Sequence, residues 1–425
     1  MKRSFPFLLV CFILTWVLLG CTTTTTMLSG PAADPSLSFE QKMTAYDIPK
    51  VSITQPVVYY NGLDWRERAT ELIENAKDYV IISSFLASSS EELSNFYATI
   101  ERKAKEGVRI YFVMDGTASY DMTESRFHLI PLDFLRDSGV HLLEFSPMSA
   151  ARVVSGLDLM FRDHRKYLIV DGRDLAIGGM NFNFISMGAE GDERQRDSMY
   201  EFASPSFCKE FLDSFVPWWN SQTWDTMKRE DFAIDETFGE TEEHLDAWFV
   251  NQYPKEKKMS GAYGALLDES RHSVKILPYL PFVDKPVLEV LKKAEARGVD
   301  ISIILPFDRR VNNRVGSQYM AKYLLDSGVD LRNEISSEVS QQFLHEKLMI
   351  VDSRYVMVGS MNFNYRTMNL AHDIALIIDS PSFASQLEKH YQGIYDQTTP
   401  VTKKEVKAWH TWYNWPDYIM GFYGG

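Results

Sequence analysis

The sequence predicts an α/β fold made of two tandem repeats that pack as a pseudo-twofold pair. Apolar runs rich in β-branched residues alternate with helical periods that end at glycine, which is typical of α/β units. The order of these segments is duplicated, since KAKEGVRIYFVMD at 103–115 is similar to KAEARGVDISIILP at 293–306. A hydrophobic content of 45% and a charged content of 24% are ordinary for a globular chain, and 425 residues are enough for two cores.

The N-terminus predicts a signal peptide over residues 1–20. A positively charged start precedes an apolar run of 16 residues from Phe5 to Gly20, shorter than the roughly 20 residues that a membrane-spanning helix needs. Cys21 directly follows Leu-Leu-Gly, which resembles the lipobox of bacterial lipoproteins. That resemblance implies a lipid anchor on Cys21, and the alternative is an uncleaved N-terminal anchor helix. In both cases we expect an exported protein attached to a membrane, with the outer membrane favoured by analogy.

Composition divides the rest of the chain into five segments. A stretch rich in Thr, Ser, Pro and Ala predicts a flexible tether, and an acidic stretch that breaks the α/β pattern predicts the linker between the repeats. The aromatic C-terminal segment is expected to pack against the body, with contact to a membrane interface as the alternative. The predicted segments are the tether over 21–45, the first repeat over 46–227, the linker over 228–260, the second repeat over 261–400 and the aromatic segment over 401–425.

Two copies of one polar motif interrupt apolar strands, and matching positions are separated by 181 residues. Residues i and i+2 of a strand share a face, so each histidine and its lysine would project side by side. Because burying an unpaired ammonium is costly, a lysine in such a strand needs a reason. A single histidine of this kind is often a core or rim residue, but two copies at one spacing favour a shared site. The first copy is His164, Lys166, Asp171, Gly178, Gly179 and Asn181, and the second is His345, Lys347, Asp352, Gly359, Ser360 and Asn362.

With both copies present, the chain resembles the phospholipase D superfamily, whose HKD motif has these residues at this spacing. The resemblance extends over roughly residues 50–400 and is to two-repeat members of the cardiolipin synthase-like type. It implies two phospholipase D-type α/β/α sandwich repeats, and it makes Asp171 and Asp352 structural supports rather than acid–base groups. Gly179 stands where the second copy has Ser360, as in first repeats of cardiolipin synthase-like relatives, which leaves a hydroxyl contact in that half open.

The motif residues suit a phosphodiester. Lysines would neutralise its non-bridging oxygens and asparagines would donate hydrogen bonds, while one imidazole attacks phosphorus and the other protonates the departing oxygen. The motif glycines would let the backbone come close where a side chain would obstruct the substrate. This chemistry requires no cofactor, and no Cys or His cluster in the sequence has zinc spacing.

The resemblance also assigns roles within the site. It implies that His164 is the nucleophile and His345 the general acid, an order that the residues alone leave open. Asp197 and Asp373 follow the histidines of their own halves by 33 and 28 residues. In the family, an acid in this region orients the catalytic imidazole, so we carry that role over to these two aspartates.

The resemblance implies an enzyme that acts on phospholipids through a phosphohistidine, either a phosphatidyl transferase of the cardiolipin synthase type or a phospholipase D-type hydrolase. The alternatives are an exported nuclease of the same superfamily and a non-catalytic phosphate-binding lipoprotein. A net charge of −14 disfavours nucleic acid as a partner, because an acidic body gains nothing from phosphate attraction. We expect a monomer held at the membrane by its N-terminal lipid anchor. No intrachain disulfide is expected, because only Cys208 remains after processing.

Overall fold

The computed structural model describes most of the chain beyond its N-terminus. The described residues are 26–116, 130–147, 161–188, 195–237, 243–308, 310–334 and 343–424. The predicted signal peptide and Cys21 lie outside these residues. Within them, no helix is both long enough and apolar enough to cross a bilayer.

Strands and α-helices of the described residues are numbered in chain order. The strands are β1 Lys50–Thr54, β2 Val57–Tyr59, β3 Tyr79–Ser84, β4 Arg109–Asp115, β5 His141–Phe145, β6 Arg162–Asp163, β7 Tyr167–Val170, β8 Asp174–Gly178, β9 Gln195–Arg196, β10 Met199–Phe202, β11 His244–Gln252, β12 Ser273–Leu277, β13 Asp300–Leu305, β14 Asp330–Glu334, β15 Phe343–Leu344, β16 Leu348–Val351, β17 Tyr355–Gly359, β18 Ala371–Asp379 and β19 Thr398–Pro400. The helices are α1 Thr26–Ser29, α2 Phe39–Ala45, α3 Gly62–Glu74, α4 Ser94–Lys105, α5 Ile130–Asp137, α6 Pro205–Gln222, α7 Lys258–Glu269, α8 Lys285–Ala296, α9 Val311–Leu325, α10 Tyr365–Asn369, α11 Pro381–Tyr395, α12 Lys403–Trp409 and α13 Trp415–Gly424.

Two mixed sheets with the same internal order form the framework. One sheet follows the order β2-β10-β8-β7-β3-β4-β5, and the other contains the path β1-β11-β18-β17-β16-β12-β13-β14-β19. In each sheet three parallel strands, β3-β4-β5 or β12-β13-β14, are joined to an antiparallel hairpin, β7-β8 or β16-β17. The antiparallel strand β10 or β18 then completes the unit. This duplicated order confirms the predicted pair of tandem α/β repeats.

A central apolar core lies between the two sheets. Side chains of a strand alternate between its faces, so Tyr79 and Ile81 of β3 enter the central core while Val80 and Ile82 enter an outer core with α3 and α4. Helices α6 and α11 also contribute to the central core, and a further outer core lies between the second sheet and helices α7, α8 and α9. The two repeats therefore share one buried interface.

The two helices that line the central core begin in the same way. Ser204 Oγ accepts the N–H of Phe207 at 2.9 Å, and Ser380 Oγ accepts the N–H of Phe383 at 3.2 Å. A proline occupies the first helical position in both, where its missing N–H costs nothing. The repeated Ser-Pro-Ser-Phe sequence thus fixes where α6 and α11 start.

The prediction of a flexible tether over 21–45 is wrong for residues 26–45. Helices α1 and α2 pack on α7, where Met27 and Met43 are buried. Lys42 is buried as well, and its Nζ lies 2.6 Å from the carboxylate of Asp268. The composition predicts a tether because polar and small residues dominate this segment. A few well-spaced apolar side chains are nevertheless enough to dock a short helix. The glycines of α7 permit the close approach, since a Cβ at Gly261 would lie 2.5 Å from the Tyr46 ring.

The prediction of a linker over 228–260 is also wrong in part. Residues 244–252 form β11, which pairs with β1 on one side and β18 on the other. Strand β1 falls within the predicted first repeat, but it belongs to the sheet of the second repeat. Both errors have one cause, because a local sequence pattern shows that a strand exists but not which distant strand it pairs with.

The aromatic C-terminal segment packs against the body, as expected. Gly316 of α9 leaves room for the backbone of α13, since a Cβ there would lie 2.8 Å from the Asp417 carbonyl oxygen. Gly421 contacts the Phe282 ring in the same way. The His410 ring stacks on Tyr319 with centroids 4.0 Å apart. The segment is therefore an ordered part of the second repeat.

Docking of α2 is testable by a stability measurement on the full chain. We expect Met43→Ala to lower the free energy of unfolding by about 2–4 kcal/mol, because it leaves a cavity in a buried cluster. The control is Glu40→Ala, on the exposed face of the same helix, with little expected effect. Equal urea midpoints for both variants would contradict the docked arrangement.

Candidate active site

Two short strands cross between the repeats and carry the motif histidines. Strand β6, just before His164, runs parallel to the start of β18 in the second repeat. Strand β15, just before His345, runs parallel to β9 in the first repeat. The backbone N–H of His164 donates to the His372 carbonyl at 2.9 Å, and that of His345 donates to the Arg196 carbonyl at 2.8 Å. Each histidine is thus placed beside a strand of the other repeat.

This crossing pairs each imidazole with an aspartate from the opposite repeat. Nδ1 of His164 lies 2.9 Å from Oδ1 of Asp373, and Nδ1 of His345 lies 2.5 Å from Oδ2 of Asp197. The sequence indicated the two aspartates, but by spacing it associated each with the histidine of its own half. A carboxylate only accepts hydrogen bonds, so Asp373 holds the Nδ1 proton of His164 and leaves the Nε2 lone pair available.

Two buried ammonium groups supply positive charge at the site. Lys166 and Lys347 are at most 2% exposed, and each folds back to donate to the carbonyl of its own motif histidine. Burial lowers the pKa of Lys347 to about 8. Burial and the charge of Lys347 lower the pKa of Lys166 well below its ordinary value. Among the described residues, no group of three or more His, Cys, Asp or Glu side chains is arranged to hold a metal ion.

Both imidazoles are held in the neutral form at pH 7. Burial, followed by the charge of Lys166, lowers the pKa of His164 to about 4. Burial and the charge of Lys347 lower the pKa of His345 well below its usual value. A site in which two cations destabilise further positive charge is prepared to receive an anion, because a negative charge would relieve that repulsion.

The two aspartates differ in their surroundings. Burial raises the pKa of Asp197 to about 6. Burial acts on Asp373 in the same direction, but its electrostatic interaction and hydrogen bond with His164, the charge of Lys166 and a hydrogen bond from Ser360 outweigh burial and lower the pKa of Asp373. The Ser360 hydroxyl donates to Oδ1 of Asp373 at 2.7 Å. The site is therefore pseudo-symmetric in backbone but asymmetric in charge.

The motif glycines make room for neighbouring backbone and for the Asp197 carboxylate. A Cβ at Gly179 would lie 2.1 Å from the Asp197 carboxylate, where Ser360 occupies the equivalent place in the second repeat. A Cβ at Gly178 would lie 2.3 Å from the Ser198 carbonyl oxygen, and one at Gly359 would lie 2.2 Å from that of Ile374. No hydroxyl can occupy position 179 without displacing the aspartate beside it.

The motif asparagines are buried at the ends of the hairpins. Asn181 Oδ1 accepts the Leu86 N–H at 3.0 Å. Asn362 is 2% exposed, and its Oδ1 has no hydrogen-bond partner among the described residues. Because O and N of a side-chain amide are assigned from their contacts, this position presents either an acceptor or a donor to a bound group. Asn362 is thus the motif residue with polar capacity left over.

Asp171 and Asp352 lie away from the histidines and hold backbone turns. The Asp171 carboxylate accepts the N–H groups of residues 77, 78 and 79 at 2.8–2.9 Å. The Asp352 carboxylate accepts those of residues 271, 272 and 273 at 2.8 Å. These contacts fix the starts of β3 and β12, the strands that border the motif hairpins.

Two aromatic rings beside the histidines were not identified from the sequence. The Phe85 centroid lies 5.1 Å from that of His164, and the Tyr279 centroid lies 4.0 Å from that of His345. They occupy equivalent positions just after β3 and β12. The backbone of Tyr279 has a φ of 50°, which is uncommon for a bulky residue. An aromatic residue after the corresponding strand of both repeats was the available signal.

Tyr279 belongs to a polar cluster, whereas Phe85 has no hydroxyl with which to join one. The Tyr279 hydroxyl lies 3.2 Å from Oδ2 of Asp308 and also contacts the guanidinium of Arg310. The Arg310 side chain is 50% exposed, and its charge contributes to the lowered pKa of His345 after burial and the two lysines. Each of the two rings therefore has an arginine near it, the half-exposed Arg310 at Tyr279 and the buried Arg366 at Phe85.

A family model described as "Cardiolipin synthase, PLD-like domain" matches residues 69–219 and 263–395, more than half of the chain. The chain belongs to this family. Each matched range of the cardiolipin synthase PLD-like family contains one His-x-Lys motif, so the family match and the two structural repeats coincide.

Curated relatives are similar at low identity over most of the chain. The cardiolipin synthase of Alkalihalophilus pseudofirmus is 23% identical over 350 residues, 80% of this chain and 65% of that protein. Cardiolipin synthase A of Pseudomonas entomophila is 24% identical, covering 80% of this chain and 68% of that protein. Cardiolipin synthase B of Salmonella typhi is 23% identical, covering 85% of this chain and 86% of that protein. The chain thus spans just under two thirds of the first of these relatives.

Two solved structures with the same fold match most of this chain, and so both of its repeats. Phosphatidylserine synthase from Haemophilus influenzae superposes with a TM-score of 0.65 at 15% identity, covering 90% of this chain and 96% of that chain. Polyphosphate kinase from Porphyromonas gingivalis gives a TM-score of 0.54 at 13% identity, covering 88% of this chain and 52% of that chain. At these identities the similarity establishes the fold alone.

The protonation of the site is testable by NMR of ring-labelled histidines. We expect the ring of His164 to stay neutral from pH 8 down to pH 5.5, because its pKa is about 4, and the ring of His345 to be neutral at pH 7, because burial and the charge of Lys347 lower its pKa. The nitrogen shifts of His164 should report a proton on Nδ1. His164→Asn and His345→Asn assign the signals by their loss. Titration of either ring near the ordinary value of about 6.5 would contradict the described electrostatics.

Proposed function

We propose that this protein is a phosphatidyl transferase that forms a phosphohistidine at His164. The observation that carries the proposal is the pair of crossed His–Asp contacts beside two buried lysines. One chain then supplies a nucleophile, a proton donor and the cationic groups that would bind a phosphodiester. The names of the cardiolipin synthase relatives support transfer between phospholipids as the reaction class.

In the first step, Nε2 of His164 attacks the phosphorus of a phospholipid. A P–N bond forms while the P–O bond to the departing alcohol breaks, and the bonding electrons stay on that oxygen. His345 donates its Nε2 proton to the oxygen, so the alcohol leaves neutral. The lysines neutralise the non-bridging oxygens, and Asn362 donates or accepts a hydrogen bond at the bound diester.

In the second step, neutral His345 removes the proton of an incoming hydroxyl. The resulting oxygen attacks phosphorus, the P–N bond breaks, and His164 recovers its lone pair. A lipid hydroxyl as the acceptor gives transfer, and water gives hydrolysis. The low exposure of His164 and His345, 8% and 5%, supports transfer because a buried site limits the access of water.

The lowered histidine pKa values are consistent with this cycle. Without substrate, the two ammonium groups oppose protonation of the imidazoles. A phosphodiester introduces a negative charge between them, which raises the pKa of His345 and lets it hold the proton it must donate. Substrate binding would thus favour protonation of His345, the proposed general acid.

Two contacts support His164 rather than His345 as the nucleophile. The ionised Asp373, hydrogen-bonded by Ser360, holds the Nδ1 proton of His164 and leaves Nε2 unprotonated. Nζ of Lys347, by contrast, lies 2.7 Å from Nδ1 of His345. Lys347 therefore competes with His345 Nδ1 for the Asp197 carboxylate, so the Nδ1 proton of His345 is held less firmly than that of His164.

We also propose that the protein is exported and anchored through a lipid on Cys21, with the outer membrane favoured. The lipobox-like sequence before Cys21 supports this location, and phospholipid substrates would be available there. Labelling of cells with a radioactive fatty acid should mark the wild-type protein but not Cys21→Ala. Equal labelling of both would overturn the anchor while leaving the proposed reaction untouched.

The reaction is tested by product analysis with phosphatidylglycerol vesicles, with and without added glycerol, and separately with DNA. We expect cardiolipin as the product, and added glycerol should reverse its formation. His164→Ala and His345→Ala should each lower the rate by at least about a thousandfold, the scale of nucleophilic and acid–base catalysis. The control is His272→Ala, an exposed histidine on the turn before β12. Phosphatidic acid as the sole product would replace transfer by hydrolysis, and nicked DNA with intact lipid would support the nuclease alternative.

The order of the two histidines is tested with a phosphatidyl ester of p-nitrophenol. This leaving group needs no protonation, so His345→Ala should still form the P–N bond but lack the base for the second step. We therefore expect mass spectrometry to find a phosphatidyl adduct on His164 in that variant. An adduct on His345 in His164→Ala would reverse the assignment.

A further inference from the structure

We propose that the C-terminal segment 403–424 is a docking surface for an anionic phospholipid bilayer. The segment consists of α12, α13 and the turn between them. Docking here would present membrane lipids to the second-repeat side of the active site. The inference adds to the proposed function the surface from which its substrate is taken.

The segment exposes a concentrated set of large apolar side chains. Among the described residues, seven such side chains are mostly exposed, and four of them fall within nine residues of this segment. Trp412 is 85% exposed, Tyr413 59%, Met420 55% and Trp415 46%. Scattered exposed apolar residues are normal, but a local cluster indicates an interaction surface. Trp and Tyr are also the residues enriched at the level of lipid head groups.

These side chains project from a firmly held backbone. The Tyr418 ring packs on Tyr319 with centroids 5.0 Å apart, and Gly421 lies against Phe282. Helix α12 begins with a capping box, in which Thr402 and Glu405 each bond the backbone of the other. The exposed rings therefore belong to an ordered element. Because its backbone is already ordered, little conformational entropy would be lost when the segment binds a membrane.

The charge of the segment is complementary to an anionic surface. Helix α12 exposes Lys403, Lys404 and Lys407, whereas the chain as a whole has a net charge of −14. Glu405 is engaged in the helix cap, and Asp417 is the other acidic residue of the segment, which is therefore only weakly basic as a whole, with its lysines gathered on α12. Basic residues close to a bilayer surface are attracted by the negative potential of an anionic leaflet. A local basic patch on an acidic protein favours a bilayer rich in anionic lipid over a neutral one.

Direct contacts join this surface to the active site. Arg366 donates to the Gly424 carbonyl at 2.8 Å, and Phe422 stacks on Tyr365 with centroids 4.7 Å apart. Both partners are on α10, which follows the second motif. The Arg366 guanidinium lies 5.7 Å from the ring centroid of Phe85, the ring that faces His164. The segment is therefore linked through α10 to the ring that faces His164.

The test compares full-length variants on vesicles and on monomeric substrate. We expect Trp412→Ala/Trp415→Ala and Lys403→Gln/Lys404→Gln/Lys407→Gln each to lower turnover of phosphatidylglycerol vesicles at least fivefold. Turnover of short-chain phosphatidylglycerol below its critical micelle concentration should change less than twofold. The matched controls are Trp224→Ala, a fully exposed tryptophan after α6, and Lys292→Gln/Lys293→Gln on α8. Neither control should alter either rate.

A second measurement does not depend on turnover. Vesicles containing brominated phosphatidylglycerol should quench tryptophan fluorescence in the wild type and in Trp224→Phe, and less in Trp412→Phe/Trp415→Phe. Reduced quenching in that double variant supports docking even if the wild type turns over no lipid, in which case the proposed function fails alone. Unchanged quenching and unchanged vesicle rates would overturn the docking surface. Loss of a dimer in Trp412→Ala/Trp415→Ala by sedimentation, with vesicle contact intact, would also overturn it in favour of a second copy of this chain.

Discussion

The site depends on two strand crossings between the repeats. Strands β6 and β15 are only two residues long, yet each pairs with a strand of the opposite repeat and sets the backbone of a motif histidine. Backbone hydrogen bonds fix strand register, so the imidazole of one repeat must face the aspartate of the other. Each motif histidine is therefore paired with an aspartate of the opposite repeat rather than of its own. The fusion of two repeats through a common central core is therefore a condition of the chemistry as well as of stability.

Burial gives the site its electrostatic character. Imidazoles, ammonium groups and carboxylates lie together at low exposure. Each motif imidazole contacts an aspartate, and the Lys166 ammonium donates to a backbone carbonyl. Such an arrangement is costly in an empty protein, because charges are removed from water. A bound phosphodiester would lower this cost, because it would add a negative charge beside the two lysines. The pseudo-symmetry ends at Ser360 and Gly179. Asp373 accepts a hydrogen bond from the Ser360 hydroxyl, whereas the Asp197 carboxylate lies directly beside Gly179.

The surroundings extend the asymmetry beyond the motif. The first repeat places Phe85 beside its histidine, whereas the second places Tyr279 there, in contact with Arg310 and Asp308. The ordered C-terminal segment is attached to the second repeat alone, next to α10. The two equivalent frameworks therefore carry different groups beside their histidines.

The sequence by itself determined the fold class, the two repeats and the residues of the site. These features follow from local patterns, namely strand and helix periods and a motif that recurs at one spacing. It did not determine that β1 and β11 join the second sheet, that residues 26–45 dock on α7, or that Asp373 serves His164 and Asp197 serves His345. Only the tertiary structure decided those points. The physical reason is that strand pairing, helix docking and side-chain contact across repeats depend on which distant surfaces meet, and local periodicity is the same whichever partner a segment finds.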